Sequence, residues 1–171
     1  MGKLAGSICI LTGCFVLLRH WTECVSQRED LMRELLRFLR SWEYALKMKR
    51  MRVMDFFDTY PYAKNCLKQI TDEVKAMLVM HTDPMGQSAW QNELKKYEGQ
   101  IGLQKEAFAI LVRAGESFFG TNREEAIQCV SACIRQMEEV MEEERKSYRE
   151  KRKVYMPVGM LTGIMLVILL L

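Results

Sequence analysis

The sequence predicts an all-α protein, an antiparallel helical bundle of about five to six helices with a transmembrane helix at each end. Apolar side chains recur at steps of three and four, which is the helical period, and no segment shows the alternation of a half-buried strand. Both ends of the chain are apolar, and all 22 acidic residues lie between them. We therefore expect one helical body whose two ends are anchored in a membrane.

The last apolar segment, residues 154–171, carries no ionisable side chain except the phenol of Tyr155. As a helix it would span roughly 27 Å, which is just enough to cross a bilayer. It follows the basic residues Lys151, Arg152 and Lys153. Because lysine and arginine near membrane ends stay in the cytoplasm, we expect a cytoplasmic body with both termini outside.

Residues 1–21 are predicted to form an N-terminal transmembrane anchor, but their apolar run is shorter. It needs Arg19 to extend toward the interface and Trp21 to lie in it. A secretory signal is an alternative, because one basic residue before a short apolar run also describes that class. A lipoprotein cleavage site with acylation of Cys14 is another. We favour the retained anchor, since no small-x-small site precedes Arg19 and apolar residues follow Cys14.

Residues 22–153 are predicted to form one cytoplasmic bundle, with long helices at about 19–51 and 121–153. A capping box at Thr121–Glu124 marks the start of the second. The apolar stripe of the first consists of Leu31, Leu35, Phe38, Trp42 and Ala45. That of the second consists of Ile127, Val130, Ile134, Met137 and Met141. Because the two helices have similar lengths, we expect them to pack as an antiparallel pair.

Helix breakers separate shorter predicted helices between the two long ones. Pro61 is expected to open the first, and Ser88 to cap the second after a turn at residues 81–86. The third is expected at residues 103–119. The glycines predicted to end these helices are Gly99, Gly102 and Gly120.

The sequence lacks the motifs of common catalytic sites. It has no phosphate-binding loop, dinucleotide fingerprint, zinc-protease motif or nucleophile elbow, and its two histidines, His20 and His81, offer no plausible base. Cys129 and Cys133 lie one helical turn apart, and we interpret them as core residues because no CxxC motif or histidine cluster accompanies them. We expect no enzyme activity, no cofactor and no metal site.

A cluster of cations lies where the first long helix ends: Lys47, Lys49, Arg50 and Arg52. Since the net charge is only +3, no general attraction to nucleic acid is expected. By helix length the cluster is far from the membrane, and it is a candidate docking surface for an acidic cytoplasmic partner. The alternative is a solvated helix terminus, where cations interact favourably with the helix dipole.

Gly115 lies inside a predicted helix, where it costs roughly 1 kcal/mol relative to alanine. We therefore expect it to permit close approach of a neighbouring helix. The adjacent Glu116 is either a surface charge or a buried acceptor.

Several segments together resemble the stage III sporulation protein AB family over essentially the whole chain. They are KLAG at the start, AWQNELKK at 89–96, AGESFFGT at 114–121 and the final GMLTGIMLVILLL. The most specific, Gly115 to Gly120, resembles the family's Phe-Gly-Glu-x-Leu-Gly stretch. Here Ala114 replaces the aromatic residue, and one extra residue precedes the second glycine. Residues 47–62 depart from the family pattern, because they lack its Gly-x-Thr-Pro-Leu turn.

The resemblance implies a non-enzymatic scaffold in the mother-cell membrane around the forespore of an endospore-former. It implies a fold similar to the cytoplasmic helical domain of the type II secretion platform protein. It also implies a secretion-like channel between the two cells, with the stage III sporulation AA ATPase, other channel components and membrane lipid as partners, and possible homo-oligomers. The alternative is a membrane-anchored regulatory helical protein that binds signalling or division partners.

Overall fold

A computed structural model describes residues 2–80 and 86–170; at residue 100 and at many positions before 26 and after 151 it describes the backbone alone. Within these residues the protein has six α-helices and no strand, which confirms the all-α prediction. They are α1 (Gly2–Tyr44), α2 (Val53–Thr59), α3 (Asn65–Val79), α4 (Gly86–Ile101), α5 (Lys105–Phe119) and α6 (Arg123–Leu170). A π-helical turn, Ala45–Lys49, continues α1.

The chain divides into two compact units. The terminal unit comprises the residues before Asp30 together with those after Met141. Within it, Arg145 on α6 donates to Glu29 on α1 through Nε at 2.9 Å and Nη2 at 2.8 Å. Across the described ranges, no helix is both long enough and apolar enough for a membrane span. The transmembrane helices at 1–21 and 154–171 stay predictions.

The central unit, Asp30–Met141, contains the paired stretches of α1 and α6. From the predicted stripes, the side chains of Leu35, Phe38, Trp42, Ala45, Val130, Ile134 and Met137 are buried, and those of Leu31, Ile127 and Met141 are partly buried. Polar contacts show that the helices run in opposite directions. Arg40 pairs with Glu138 at 2.5 Å, whereas Glu43, farther along α1, accepts from Ser131, which comes earlier on α6.

Aromatic rings fill the middle of the central unit. The Phe38 ring on α1 lies 5.0 Å from Tyr60, 5.3 Å from Phe56 and 5.7 Å from Phe118, measured between centroids. Phe118 in turn meets Trp90 of α4 edge-on at 5.0 Å. Tilted and edge-to-face pairs of this kind stabilise a core beyond the area that they bury. The cluster therefore joins α1, α2, α4 and α5.

The structure corrects the predicted helix at Pro61. A short helix, α2, precedes this proline, and α3 begins only at Asn65. The intervening segment is held extended by the buried carboxylate of Glu34, whose Oε1 accepts the Ala63 N–H at 2.9 Å. Helix α2 has only seven residues, which is too short to show a clear helical period.

The ends of α4 also differ from prediction. The helix begins at Gly86, so Ser88 lies inside it and does not cap it. Gly86 approaches the Phe119 ring so closely that a Cβ would collide with it. At the other end Gly99 is helical, and Gly102, with φ at +62°, follows the last residue. Of the predicted turn at 81–86, residues 81–85 lie outside the described residues.

The start of α6 is shifted by one residue from the predicted capping box. Asn122, not Thr121, is the cap: its Oδ1 accepts the Glu124 N–H at 3.0 Å, and its Nδ2 donates to Glu125 Oε1 at 2.9 Å. Asparagine is at least as good a cap as threonine. It therefore takes the position next to Arg123, where α6 begins.

Gly115 lies inside α5 and Gly120 directly follows it, and at both positions an added Cβ would collide with neighbouring atoms. A Cβ on Gly115 would lie 2.5 Å from Trp90 Cδ1, and one on Gly120 would lie 2.7 Å from the Glu116 carbonyl oxygen. Trp90 cannot easily withdraw, because its Nε1 donates to the Leu111 carbonyl at 3.0 Å. Gly115 thus gives room for the indole of α4, while the Glu116 side chain is exposed.

We expect Gly115→Ala to lower the free energy of unfolding by about 1 to 3 kcal/mol, because it overpacks the site of Trp90. The matched control is Gly99→Ala, since Gly99 is also helical but has open space around its Cβ position. That change should raise stability by about 0.5 to 1 kcal/mol. Urea denaturation measures both. Equal effects of the two changes would contradict the packing role of Gly115.

We expect stability to fall as pH rises from 10 toward 12. Burial, assisted by the charge of Glu34, raises the pKa of Tyr60 to about 12 from its ordinary 10.0. The unfolded chain then loses this proton at lower pH than the folded chain, so the contribution of Tyr60 is complete below pH 10 and disappears above it. In urea denaturation at a series of pH values, Tyr60→Phe should flatten the alkaline decline. An unchanged decline would contradict the assignment.

Candidate functional site

The predicted basic cluster lies on and just after the π-helical turn that ends α1. There the Arg50 N–H donates to the carbonyl of Ala45, five residues earlier. Arg50 itself is left-handed, with φ at 47° and ψ at 38°. For a residue with a Cβ this conformation costs roughly 1 to 2 kcal/mol. Single π-helical turns are frequent at functional sites, so this backbone is a candidate for a role beyond packing.

Arg123, the first residue of α6, holds this turn in place. Its Nε and Nη2 donate to the Leu46 carbonyl at 2.9 and 2.6 Å, and Nη2 also donates to the Lys47 carbonyl at 2.8 Å. Carbonyls at a helix end lack partners within the helix, and a guanidinium can satisfy two of them at once. Sequence reasoning missed Arg123, because nothing local to it signals a contact 77 residues away.

The four predicted cations differ in their pairing. Lys47 Nζ lies 2.7 Å from Glu43 Oε1, which also accepts from Ser131 Oγ. Partial burial raises the pKa of Glu43, but the hydrogen bonds from Lys47 and Ser131 outweigh it, so the pKa lies below its ordinary value. Lys47 is therefore neutralised locally.

The other three cations, Lys49, Arg50 and Arg52, are exposed. They have no ion-pair partner within the described part of the chain. The structure therefore places three exposed positive charges on a backbone that Arg123 fixes. We call Lys49, Arg50 and Arg52 the basic surface.

An open groove of about 550 Å³ adjoins the basic surface. Its walls include the last turns of α1, the loop before α2, and the connection between α5 and α6. The residues that line it include Trp42, Arg50, Arg52, Phe118, Thr121 and Arg123. Of the glycines singled out by sequence, Gly120 lines this groove, whereas Gly115 packs against α4.

Trp42 lies in the wall of this groove with an unsatisfied donor. Its side chain is 2% exposed, and its ring lies between Phe56 at 5.0 Å and Phe118 at 5.4 Å. Its buried Nε1 has no hydrogen-bond partner among the described residues. A buried N–H without an acceptor costs about 1 to 3 kcal/mol. Sequence reasoning assigned Trp42 to the core, and the missing acceptor had no signal in the sequence.

A second open cleft of the central unit, about 660 Å³, is also lined by arginines. There, however, Arg37 pairs with Glu34 at 3.0 Å and Arg40 with Glu138 at 2.5 Å. Both arginines are therefore already paired with glutamates of the central unit. The basic surface and its groove are therefore the stronger candidate for a binding site.

The remaining predicted residues are distributed elsewhere. Arg19, Lys151 and Lys153 are exposed in the terminal unit, while the side chains of Trp21 and Arg152 lie outside the described residues.

The two cysteines that lie one helical turn apart on α6 differ in burial: Cys129 is partly buried and Cys133 is buried. Burial raises the pKa of the Cys133 thiol to about 12, which keeps it protonated and unreactive.

Comparisons with known proteins bear on the whole chain. The family model described as Stage III sporulation protein AB (spore_III_AB) matches residues 3–171. A solved structure, described as Stage III sporulation protein AB (SpoIIIAB), is similar with a TM-score of 0.59 and 16% identity, and the match covers 72% of this chain and 98% of that one. At this identity the likeness shows the fold alone. No curated protein matches the chain in sequence. Because the family match covers nearly every residue, the chain belongs to the stage III sporulation protein AB family.

Proposed function

We propose that this sporulation protein is a non-enzymatic scaffold in the mother-cell membrane around the forespore. In this proposal it belongs to a secretion-like channel and docks a cytoplasmic ATPase, the stage III sporulation AA ATPase, through the basic surface. The observation that carries the proposal is the exposure of Lys49, Arg50 and Arg52 on and just after the turn whose carbonyls Arg123 holds.

The fixed turn suits the recognition of an acidic surface. Because Arg123 holds the Leu46 and Lys47 carbonyls, little backbone freedom is lost when a partner binds. Because the three cations form no ion pair with any residue that the structure describes, no such pair has to be broken on binding. Charge complementarity would speed the encounter and select against basic partners.

Anchoring in a membrane is supported by the apolar side chains at the end of α6. Val158, Leu161, Met165 and Ile168 are each more than half exposed. They recur at steps of three and four, so they share one face of the helix. Large apolar side chains of this kind are favourable when lipid covers them. The exposed Lys151 and Lys153 before them favour a cytoplasmic body.

We expect the double reversal Lys49→Glu/Arg52→Glu to reduce recovery of the ATPase at least tenfold, because it makes the basic surface repel an acidic partner. The measurement is copurification with a tagged copy produced in sporulating cells. The matched control is Lys68→Glu/Lys95→Glu, which reverses two exposed lysines on α3 and α4. The control should recover the ATPase normally.

Normal recovery by a folded Lys49→Glu/Arg52→Glu protein would reject the docking surface. If the unmodified protein recovered neither the ATPase nor another channel component, the scaffold proposal itself would fail. The regulatory hypothesis would then take its place.

A further inference from the structure

We infer that the groove beside the basic surface binds a carboxylate side chain from an acidic segment of a partner protein. In the complex the Trp42 Nε1–H donates to the carboxylate, and Arg50 and Arg52 balance its charge. The inference rests on the proposed docking role and names the contact that docking would make.

The Trp42 indole lacks a hydrogen-bond acceptor among the described residues. Trp42 lines the groove, and its Nε1 is buried. The other indole of the central unit, Trp90, donates to the Leu111 carbonyl at 3.0 Å. Buried polar groups are nearly always hydrogen-bonded, so an exception calls for an explanation. An acceptor that enters the groove would supply one.

The groove is positively charged. Arg50 and Arg52 line it and have no ion pair within the described residues. Arg123, the third arginine, directs its guanidinium at two carbonyls. A neutral amide oxygen would satisfy the indole and leave the two cations unbalanced. A carboxylate satisfies both requirements, and its hydrogen bond to the indole is charge-assisted.

The size and lining of the groove suit a side chain with an apolar stem and a charged end. Its volume of about 550 Å³ fits one side chain with its flanking backbone. The buried Phe118 contributes an apolar ring to its lining, and the exposed Thr121 contributes a hydroxyl. An aliphatic stem that ends in a carboxylate, as in glutamate, matches this arrangement. Since Nε1 is covered in the free protein, the groove side chains must part as the carboxylate enters.

The test uses the full-length chain in detergent micelles with ¹⁵N-labelled tryptophan. The chain has three tryptophans, so three indole signals are expected in a proton–nitrogen correlation spectrum. The probe is a short glutamate-rich peptide, and the control peptide carries glutamine at every glutamate position. We expect a saturable shift of the Trp42 signal with the acidic peptide and no shift with the control. The Trp90 signal is an internal reference and should not move.

Two variants identify the contact. Trp42→Phe keeps the ring but removes the donor, so it should fold, lack the moving signal and bind the peptide about tenfold more weakly. Arg52→Glu changes an exposed side chain, so the protein should stay folded and the rest of its spectrum should be unchanged. The peptide should no longer shift the Trp42 signal. Should Trp42→Phe fail to fold, Arg52→Glu still decides the question.

The outcomes separate this inference from the proposed function. Peptide binding without movement of the Trp42 signal would overturn the groove site and leave docking by the basic surface intact. A Trp42 shift in a protein that never recovers the ATPase would support the groove and reject the ATPase as its partner. A shift with phosphatidylglycerol vesicles alone, or on concentrating the protein alone, would overturn the inference in favour of lipid or a second copy.

Discussion

The ring of Phe118 lies at the meeting point of the central unit. It contacts Phe38 of α1, Phe57 of α2 and Trp90 of α4 at centroid distances between 5.0 and 5.7 Å. This position depends on Gly115, one turn earlier, because the absent Cβ leaves the space that Trp90 fills. Phe118 also lines the groove beside the basic surface. Phe118 therefore belongs to both the core and the candidate site, so the shape of the groove depends on how the core packs.

The cations of the central unit fall into two groups, those that pair with acidic residues of the fold and those that have no ion pair among the described residues. Two salt bridges lie within α1 and the π-helical turn that continues it, Arg37 with Glu34 and Lys47 with Glu43. A third, between Arg40 and Glu138, joins α1 to α6. The Arg40–Glu138 pair is exposed on both sides, and exposed pairs contribute little individually. The cations of the basic surface differ, because no described residue forms an ion pair with them. They are therefore available to a partner, as the proposed docking requires, and the small net charge of the protein gives no indication of this local cluster.

The sequence predicted the helices with long apolar stripes and missed what depends on distant contacts. The stripes of α1 and α6 were recognisable because 3.6-residue periodicity is local. Helix α2 was missed because seven residues are too few for that signal. The extended segment before α3 depends on Glu34, 29 residues from its partner Ala63. In the candidate site the cations could be predicted, but Arg123 and the unpaired Trp42 indole could not, since both arise from tertiary packing.

The opposite directions of α1 and α6 restrict how the length of this protein can change. Along the central unit, Arg40 faces Glu138, and Leu46, six residues later, accepts from Arg123 at the start of α6. An insertion in one helix between these contacts would move every later pair out of register. Only a compensating insertion in the other helix would restore them. Length variation among relatives should therefore accumulate in connections such as residues 102–104, where an added residue disturbs no paired helix.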